Sequence, residues 1–277
     1  MEGTAPRERR VYELTTWEVP GPVEAIPLLL YQRHDLAGPK PAVVYYHGVT
    51  QAKDGYVDTH PTARRLADRG FVVALPDAPG HGERPSATTL LPRLRESLAR
   101  EFSADIEQTA DEATGLFEWL AARPDVDPAR LGVLGVSMGG FTAAAVAARL
   151  HTRLRAAVCI AGSAGLLDCF AATDAIAPGK WGPLDRSIDA ETRARIHRID
   201  PGGYPERYAP LPLLLLHGER DTWNPCATSQ RFAAALHPFY ARTAPDALRL
   251  VIVPGAVHWP PHPMVIDEAV GWLTRYV

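Results

Sequence analysis

One serine lies between two glycines, at the point where an apolar segment meets an alanine-rich one. The run from Val133 to Gly140 reads VLGVSMGG, with Ser137 at its centre. The apolar residues before it predict a buried strand, and the stretch from Phe141 to Leu150 predicts a helix. The Gly-x-Ser-x-Gly spacing between strand and helix is typical of a sharp turn that presents the hydroxyl above a sheet, since glycine leaves room for strained backbone. Ser137 is therefore predicted to be a nucleophile.

A serine hydroxyl attacks well only when a base takes its proton and a carboxylate orients that base. Two later apolar runs, each predicted to be a strand, end close to such groups. The run from Leu211 to Gly218 is followed by Asp221, and the run that ends at Val253 is followed by His258. Since all three groups follow predicted strands, we predict that Ser137, Asp221 and His258 form a catalytic triad.

The order Ser, Asp, His along the chain resembles the α/β-hydrolase superfamily. Two further blocks carry the resemblance. Residues 43–50, VVYYHGVT, look like the strand and His-Gly segment that supplies half of the oxyanion hole. Residues 74–84, ALPDAPGHGER, are similar to the loop after the following strand. The closest resemblance is to small bacterial carboxylesterases of the dienelactone-hydrolase and prolyl-oligopeptidase-like branch. Dienelactone hydrolases proper carry a cysteine nucleophile, and this chain carries a serine there.

The alternation of predicted strands and helices indicates an α/β protein with a mostly parallel sheet covered on both faces. The resemblance implies the α/β-hydrolase fold, with eight strands in a single domain over residues 1–277. It also implies that residues 162–210 form a small lid over the active site. The apolar roof of the pocket would consist of Phe170, Trp181, Tyr204 and Tyr208. The alternative is a longer surface connection. The excursion from Ser86 to Glu101 is a second candidate border of the pocket.

The resemblance also implies roles for individual groups around the triad. The backbone N–H groups of Val49 and Met138 would form the oxyanion hole, with Thr50 as an alternative to Val49. Glu219 is the rival acid, but an acid after His-Gly-x-x, which is Asp221 here, is the family placement. Three tryptophans are candidates for the pocket wall: Trp181, Trp223 and Trp259.

The other histidines are weaker candidates for the base. His47 and His81 are interpreted as orienting loops through hydrogen bonds. His262 is a rival to His258, but it lies in a proline-rich stretch just before the last predicted helix.

Composition excludes several classes of function. The chain has 277 residues and a formal net charge of −3, so it has no basic footprint for nucleic acid. No apolar run is long enough to span a membrane, and residues 1–10 lack the apolar core of a secretory signal. Free thiols in a reducing cytoplasm are the expected state of Cys159, Cys169 and Cys226. No cluster has metal-ligand spacing and no glycine-rich loop indicates a nucleotide, so we expect no metal and no cofactor.

The sequence leaves three functions open. The first is a serine carboxylesterase that hydrolyses small, short-acyl esters through an acyl-enzyme. The second is a serine peptidase or aminoacyl hydrolase of the prolyl-oligopeptidase-like branch, although the chain has no room for the N-terminal propeller with which those enzymes select peptides. The third is a non-catalytic receptor or scaffold on the same fold, against which an intact triad argues.

Overall fold

An eight-stranded sheet runs through the computed structural model, which describes residues 11–58, 61–180, 188–258 and 262–277. The strands lie in the order β1-β2-β4-β3-β5-β6-β7-β8. The pairs β1–β2 and β2–β4 are antiparallel, and the other five pairs of neighbouring strands are parallel. The predicted mostly parallel sheet is therefore confirmed. The bounds are β1 (Tyr12–Val19), β2 (Ile26–Arg33), β3 (Lys40–Tyr46), β4 (Val72–Pro76), β5 (Val126–Val136), β6 (Ala156–Ile160), β7 (Leu213–Gly218) and β8 (Leu248–Val253).

The central strands are buried along their whole length because helices cover both faces of the sheet. Every residue of β3, β4, β6 and β7 is buried, which explains why these strands are nearly continuous apolar runs. The helices are α1 (Gly55–Asp58), α2 (Pro61–Asp68), α3 (Leu90–Glu96), α4 (Leu98–Ala121), α5 (Met138–Leu150), α6 (Leu166–Ile176), α7 (Ala190–Ile199), α8 (Ala227–Thr243) and α9 (Pro263–Tyr276).

The two faces of the sheet carry separate hydrophobic cores. Helices α4 to α8 contribute to one core, for example through Phe102, Val146 and Phe232. Helices α1, α2 and α9 contribute to the other, for example through Leu66 and Leu273. No helix in the described part of the chain is long and apolar enough to cross a membrane.

A buried ion pair holds the loop after β4 against α4. The Arg84 side chain is fully buried, and its Nη1 donates to Glu112 Oε1 at 3.1 Å and to the Ala25 carbonyl at 3.1 Å. Its Nε donates to the Asp77 carbonyl at 3.0 Å. Because a buried guanidinium is costly without a carboxylate partner, Glu112 fixes the position of this loop.

We expect Glu112→Gln to lower the free energy of unfolding by about 3 kcal/mol, because the buried Arg84 guanidinium would lose its buried counterion and keep only Glu24, a partly exposed carboxylate at 3.4 Å. The control is Asp111→Asn on the same helix, where the carboxylate pairs with Arg149 but is 55 % exposed. That surface pair should contribute less than about 1 kcal/mol. Denaturant unfolding of both variants measures the difference, and equal losses would contradict the assigned role of Glu112.

Candidate active site

Ser137 occupies a sharp turn between β5 and α5, and close backbone contacts hold this turn in place. Its φ of 57° lies in the left-handed region that most side chains avoid. A Cβ atom on Gly135 would lie 1.8 Å from the Gly139 carbonyl oxygen, and one on Gly139 would lie 2.2 Å from the Tyr46 carbonyl oxygen. Only glycine fits at both positions. The Ser137 N–H donates to the Ile160 carbonyl at 2.8 Å, which ties the turn to the neighbouring strand.

The structure brings Ser137, Asp221 and His258 together from three parts of the chain. His258 Nδ1 lies 2.7 Å from Asp221 Oδ2, and its Nε2 lies 2.9 Å from Ser137 Oγ. With its proton on Nδ1, the imidazole donates to the carboxylate and accepts from the serine hydroxyl. This arrangement can remove the hydroxyl proton as the oxygen attacks a carbonyl carbon.

The Asp221 carboxylate is fully buried and accepts hydrogen bonds from several directions. Its Oδ1 accepts from the backbone N–H groups of Trp223 and Asn224 at 2.8 and 2.9 Å. Burial alone would raise the pKa of Asp221, but hydrogen bonds from His217 and His258 outweigh it and hold that pKa well below its ordinary value. The carboxylate is therefore charged at neutral pH and can stabilise an imidazolium on His258.

His217 is a part of this network that the sequence did not single out. Its Nε2 lies 2.6 Å from the Asn224 carbonyl and 3.2 Å from Asp221 Oδ2, so this nitrogen carries the proton. Its Nδ1 accepts from Ser229 Oγ at 2.8 Å. The only signal in the sequence was its place at the end of β7, four residues before Asp221. His217 is a positioning residue, because it contacts the acid and not the cavity.

The rival acid, Glu219, points elsewhere. Its Oε2 accepts from the Gly255 N–H at 2.8 Å, which fixes the turn after β8. Among the described residues it is Asp221, and not Glu219, that contacts His258. The rival base His262 is placed at the start of α9, where its ring accepts from the Met264 N–H at 3.2 Å.

Two buried histidines hold the loop that follows β3. The Ala78 N–H donates to His47 Nε2 at 2.9 Å, and the Thr50 N–H donates to His81 Nε2 at 3.0 Å. Burial lowers the pKa of both histidines to about 4. They are therefore neutral at neutral pH, as they must be for Nε2 to accept a backbone hydrogen. Both rings orient loops and neither contacts Ser137.

The loop after β3 and the start of α5 present backbone N–H groups beside the serine. A Cβ atom on Gly48 would lie only 3.5 Å from the Ser137 Cβ. The N–H of Thr50 is engaged by His81, so it is unavailable as an oxyanion donor. Within the described part of the chain, the N–H groups of Val49 and Met138 donate to no other residue. Met138 is the first residue of α5, where N–H groups lack intrahelical partners.

A cavity of about 430 Å³ opens above Ser137 and His258, and its wall is mostly apolar. Trp223 lines it, as expected, and is 42 % exposed. Trp181 and Trp259, the other two expected wall residues, lie outside the described residues. The described lining consists of Gly48, Val49, Thr50, Gln51, Leu91, Leu94, Arg95, Leu98, Phe102, Val136, Ser137, Trp223, Asn224 and His258.

The structure does not place the expected aromatic roof of residues 162–210 over the cavity. Phe170, Tyr204 and Tyr208 are absent from the described lining, and Trp181 lies outside the described residues. Phe170 and Tyr208 are fully buried in the core: Phe170 packs edge-on against Phe102, and the Tyr208 hydroxyl donates to the Ala144 carbonyl. They therefore do not roof the cavity. The described part of the segment reaches the cavity wall at Lys180, whose Nζ lies 3.7 Å from the centre of the Trp223 ring. Helix α3 lines the cavity instead, within the excursion expected as a second border.

Comparison with known families agrees with this geometry. The model of the prolyl oligopeptidase family matches residues 58–276. The chain belongs to the prolyl oligopeptidase family. Its eight-stranded sheet is accordingly an α/β-hydrolase fold, and the protein is a serine hydrolase, as the sequence predicted.

Individual relatives of this prolyl oligopeptidase family member include proteins named as esterases and as peptidases. Esterase YjfP of Escherichia coli (strain K12) is 29 % identical over 245 residues, which cover 86 % of this chain and 90 % of YjfP. The candidate esterase YitV of Bacillus subtilis (strain 168) is 26 % identical over 239 residues, which cover 86 % of this chain and 89 % of YitV. The structure of a Mycobacterium tuberculosis puromycin-hydrolyzing peptidase matches with a TM-score of 0.74 at 21 % identity. That match covers 97 % of this chain but only 39 % of the peptidase.

We expect Asp221→Asn to lower kcat by about 10⁴-fold, because an amide cannot hold the imidazole in the tautomer that accepts from Ser137. The control is Glu219→Gln, which removes an acid equally close in sequence but bonded to Gly255. Steady-state kinetics on an ester substrate compares the two variants. Near-normal turnover in Asp221→Asn together with a large loss in Glu219→Gln would show that Glu219 is the acid.

The oxyanion donor after β3 can be tested through the backbone. Val49→Pro removes the N–H group, and losing one such donor typically lowers kcat by about 10²–10³-fold. Val49→Ala keeps the N–H group and should change kcat only slightly. Circular dichroism shows whether each variant is folded, and a folded Val49→Pro enzyme with full kcat would exclude Val49 as a donor.

Proposed function

We propose that this protein is a serine carboxylesterase that hydrolyses small, short-acyl esters through an acyl-enzyme. The observation that carries the proposal is the position of Ser137 Oγ, hydrogen-bonded to His258 Nε2 at 2.9 Å and open to a small apolar cavity. A cavity of about 430 Å³ with few polar groups suits a compact ester. The names of the relatives YjfP and YitV favour the same reaction.

The proposed cycle uses the triad in two half-reactions. Ser137 attacks the ester carbonyl while His258 Nε2 takes its proton, and the N–H groups of Val49 and Met138 hold the resulting oxyanion. The tetrahedral intermediate collapses as Nε2 returns the proton to the leaving alcohol. A water molecule, deprotonated by the same nitrogen, then attacks the acyl-enzyme, and Nε2 returns the proton to Ser137 Oγ as the acid is released. Asp221 keeps the imidazole oriented and stabilises its cation in both steps.

We propose that Trp223 and residues 162–210 limit the length of the acyl chain. Trp223 lines the cavity, and its ring lies under the Lys180 ammonium, which also donates to the Thr222 carbonyl at 3.3 Å. A cation held over an aromatic face restricts the motion of that ring. Lys180, within residues 162–210, thus holds the Trp223 wall of the cavity in place. This contact supports a lid role for residues 162–210.

A second candidate function is a peptidase or aminoacyl hydrolase, which the family and the peptidase match favour. Peptidases that read a free α-amine need a carboxylate near the nucleophile. None of the described residues that line the cavity is Asp or Glu. This chain also spans only about two-fifths of the matched peptidase, so that protein's activity is not transferred to it.

We expect 4-nitrophenyl acetate and butyrate to be hydrolysed with kcat/KM about tenfold or more above that of the decanoate, since the cavity cannot enclose a long chain. Trp223→Ala, which keeps the backbone N–H that supports Asp221, should narrow this difference. A preference of the intact enzyme for the decanoate would contradict the proposal.

Two further measurements separate the alternatives. Faster cleavage of aminoacyl 4-nitroanilides than of the matched esters would favour the peptidase. A fluorophosphonate probe should acylate the wild type and leave Ser137→Ala unlabelled. No labelling of the wild type would favour a non-catalytic role.

A further inference from the structure

Helix α3 turns one of its faces to the catalytic cavity, and this face carries a charge. Leu91, Leu94 and Arg95 line the cavity, and their spacing of three and four residues places them on one side of α3. Leu98, the first residue of α4 after the extended Ser97, lines the cavity beside them. Leu91 is 56 % exposed. Arg95 is exposed at the same edge. It is the one arginine or lysine among the described lining residues, and no carboxylate accompanies it there.

The neighbouring charges are already paired with each other. Arg93, two residues earlier on α3, pairs with Glu101 at 2.5 Å. Glu96 pairs with Arg100 at 3.3 Å, and Arg100 also contacts Glu101 at 3.1 Å. Among the described residues Arg95 therefore has no ion pair and no side-chain hydrogen bond. The same short helix uses one arginine to anchor itself and presents another to the cavity.

The other cation near the cavity is not available in the same way. The Lys180 ammonium lies over the Trp223 ring and donates to the Thr222 carbonyl. An anionic group entering the cavity would therefore meet Arg95 as the unpaired cation of the described lining. A guanidinium presents parallel N–H donors that match the two oxygens of a carboxylate.

We propose that Arg95 is a specificity residue that binds a carboxylate on the substrate, so that the preferred substrates are short esters carrying a carboxylate away from the scissile bond. This inference rests on the proposed esterase function and names its substrate class. The apolar face formed by Leu91, Leu94 and Leu98 holds the intervening methylene groups, and Arg95 holds the charged end at the mouth. The reacting carbonyl lies at Ser137. A substrate with a cationic end would place its charge against the same guanidinium and is disfavoured.

The test compares ethyl esters whose acyl chains have the same number of methylene groups and end in a carboxylate, a carboxamide or a trimethylammonium group. A second series carries the same end groups on the alcohol side. In one of the two series the wild type should show kcat/KM about tenfold higher for the carboxylate than for the carboxamide at low ionic strength, and lowest for the cation. Added salt should reduce the preference, because the site is open to solvent.

Variants assign the preference to Arg95. Arg95→Gln should abolish it while hydrolysis of the carboxamide ester continues, and Arg95→Lys should retain part of it. Arg69→Gln removes the same charge from an exposed position at the end of α2 and should leave the preference unchanged. Equal rates for carboxylate and carboxamide in both series, or a preference that survives Arg95→Gln, would overturn the proposal. Failure of the esterase function looks different, because no ester of either series would then be hydrolysed, whatever its end group.

Discussion

The active site depends on one constraint, the close approach of backbone segments around Ser137. A Cβ atom at Gly135, Gly139 or Gly140 would lie within 2.6 Å of a backbone oxygen, so these segments pack with no side chain between them. Among the described residues, Thr50, Ser137 and Ala161 are non-glycine residues with positive φ, and they follow the adjacent strands β3, β5 and β6. Each such conformation costs on the order of 1–3 kcal/mol, and the surrounding sheet must supply it. The fold thus uses part of its stability to hold Ser137, the proposed nucleophile, at the apex of its turn.

A network of buried hydrogen bonds holds Asp221, and through it His258, in position beside that serine. Asp221 is held by two backbone N–H groups and by His217, which is itself held by Ser229 on α8. Ser229 Oγ also lies 2.9 Å from Ser163 Oγ, after β6. This chain of buried polar groups joins the loops after β6 and β7 to α8. Because its polar groups bond one another, Asp221 can remain ionised in a buried position.

The strands and the serine turn could be predicted because they depend on local pattern: continuous apolar runs and obligatory glycines are visible in the sequence. The wall of the cavity could not. The leucines of α3 have the same spacing as a core-facing stripe, and Phe170 and Tyr208 resemble roof residues as much as core residues. Burial of an aromatic side chain is decided by which neighbouring helices pack on it, which no short segment encodes. His217 was missed for a related reason, since its partners lie on other elements.

The proposed catalytic groups and the cavity wall are carried by different parts of the fold. Ser137, Asp221 and His258 follow strands of the central sheet, whereas much of the wall comes from α3 and the start of α4. Arg93 and Glu101 attach α3 to α4, and Arg84 and Glu112 attach the preceding loop to the same helix. These charges lie away from the cavity, so the residues of α3 that face it are not needed for attachment. Side chains at positions 91, 94 and 95 can therefore differ in size and charge without moving the triad, which makes this helix the part of the chain where substrate preference is most readily set.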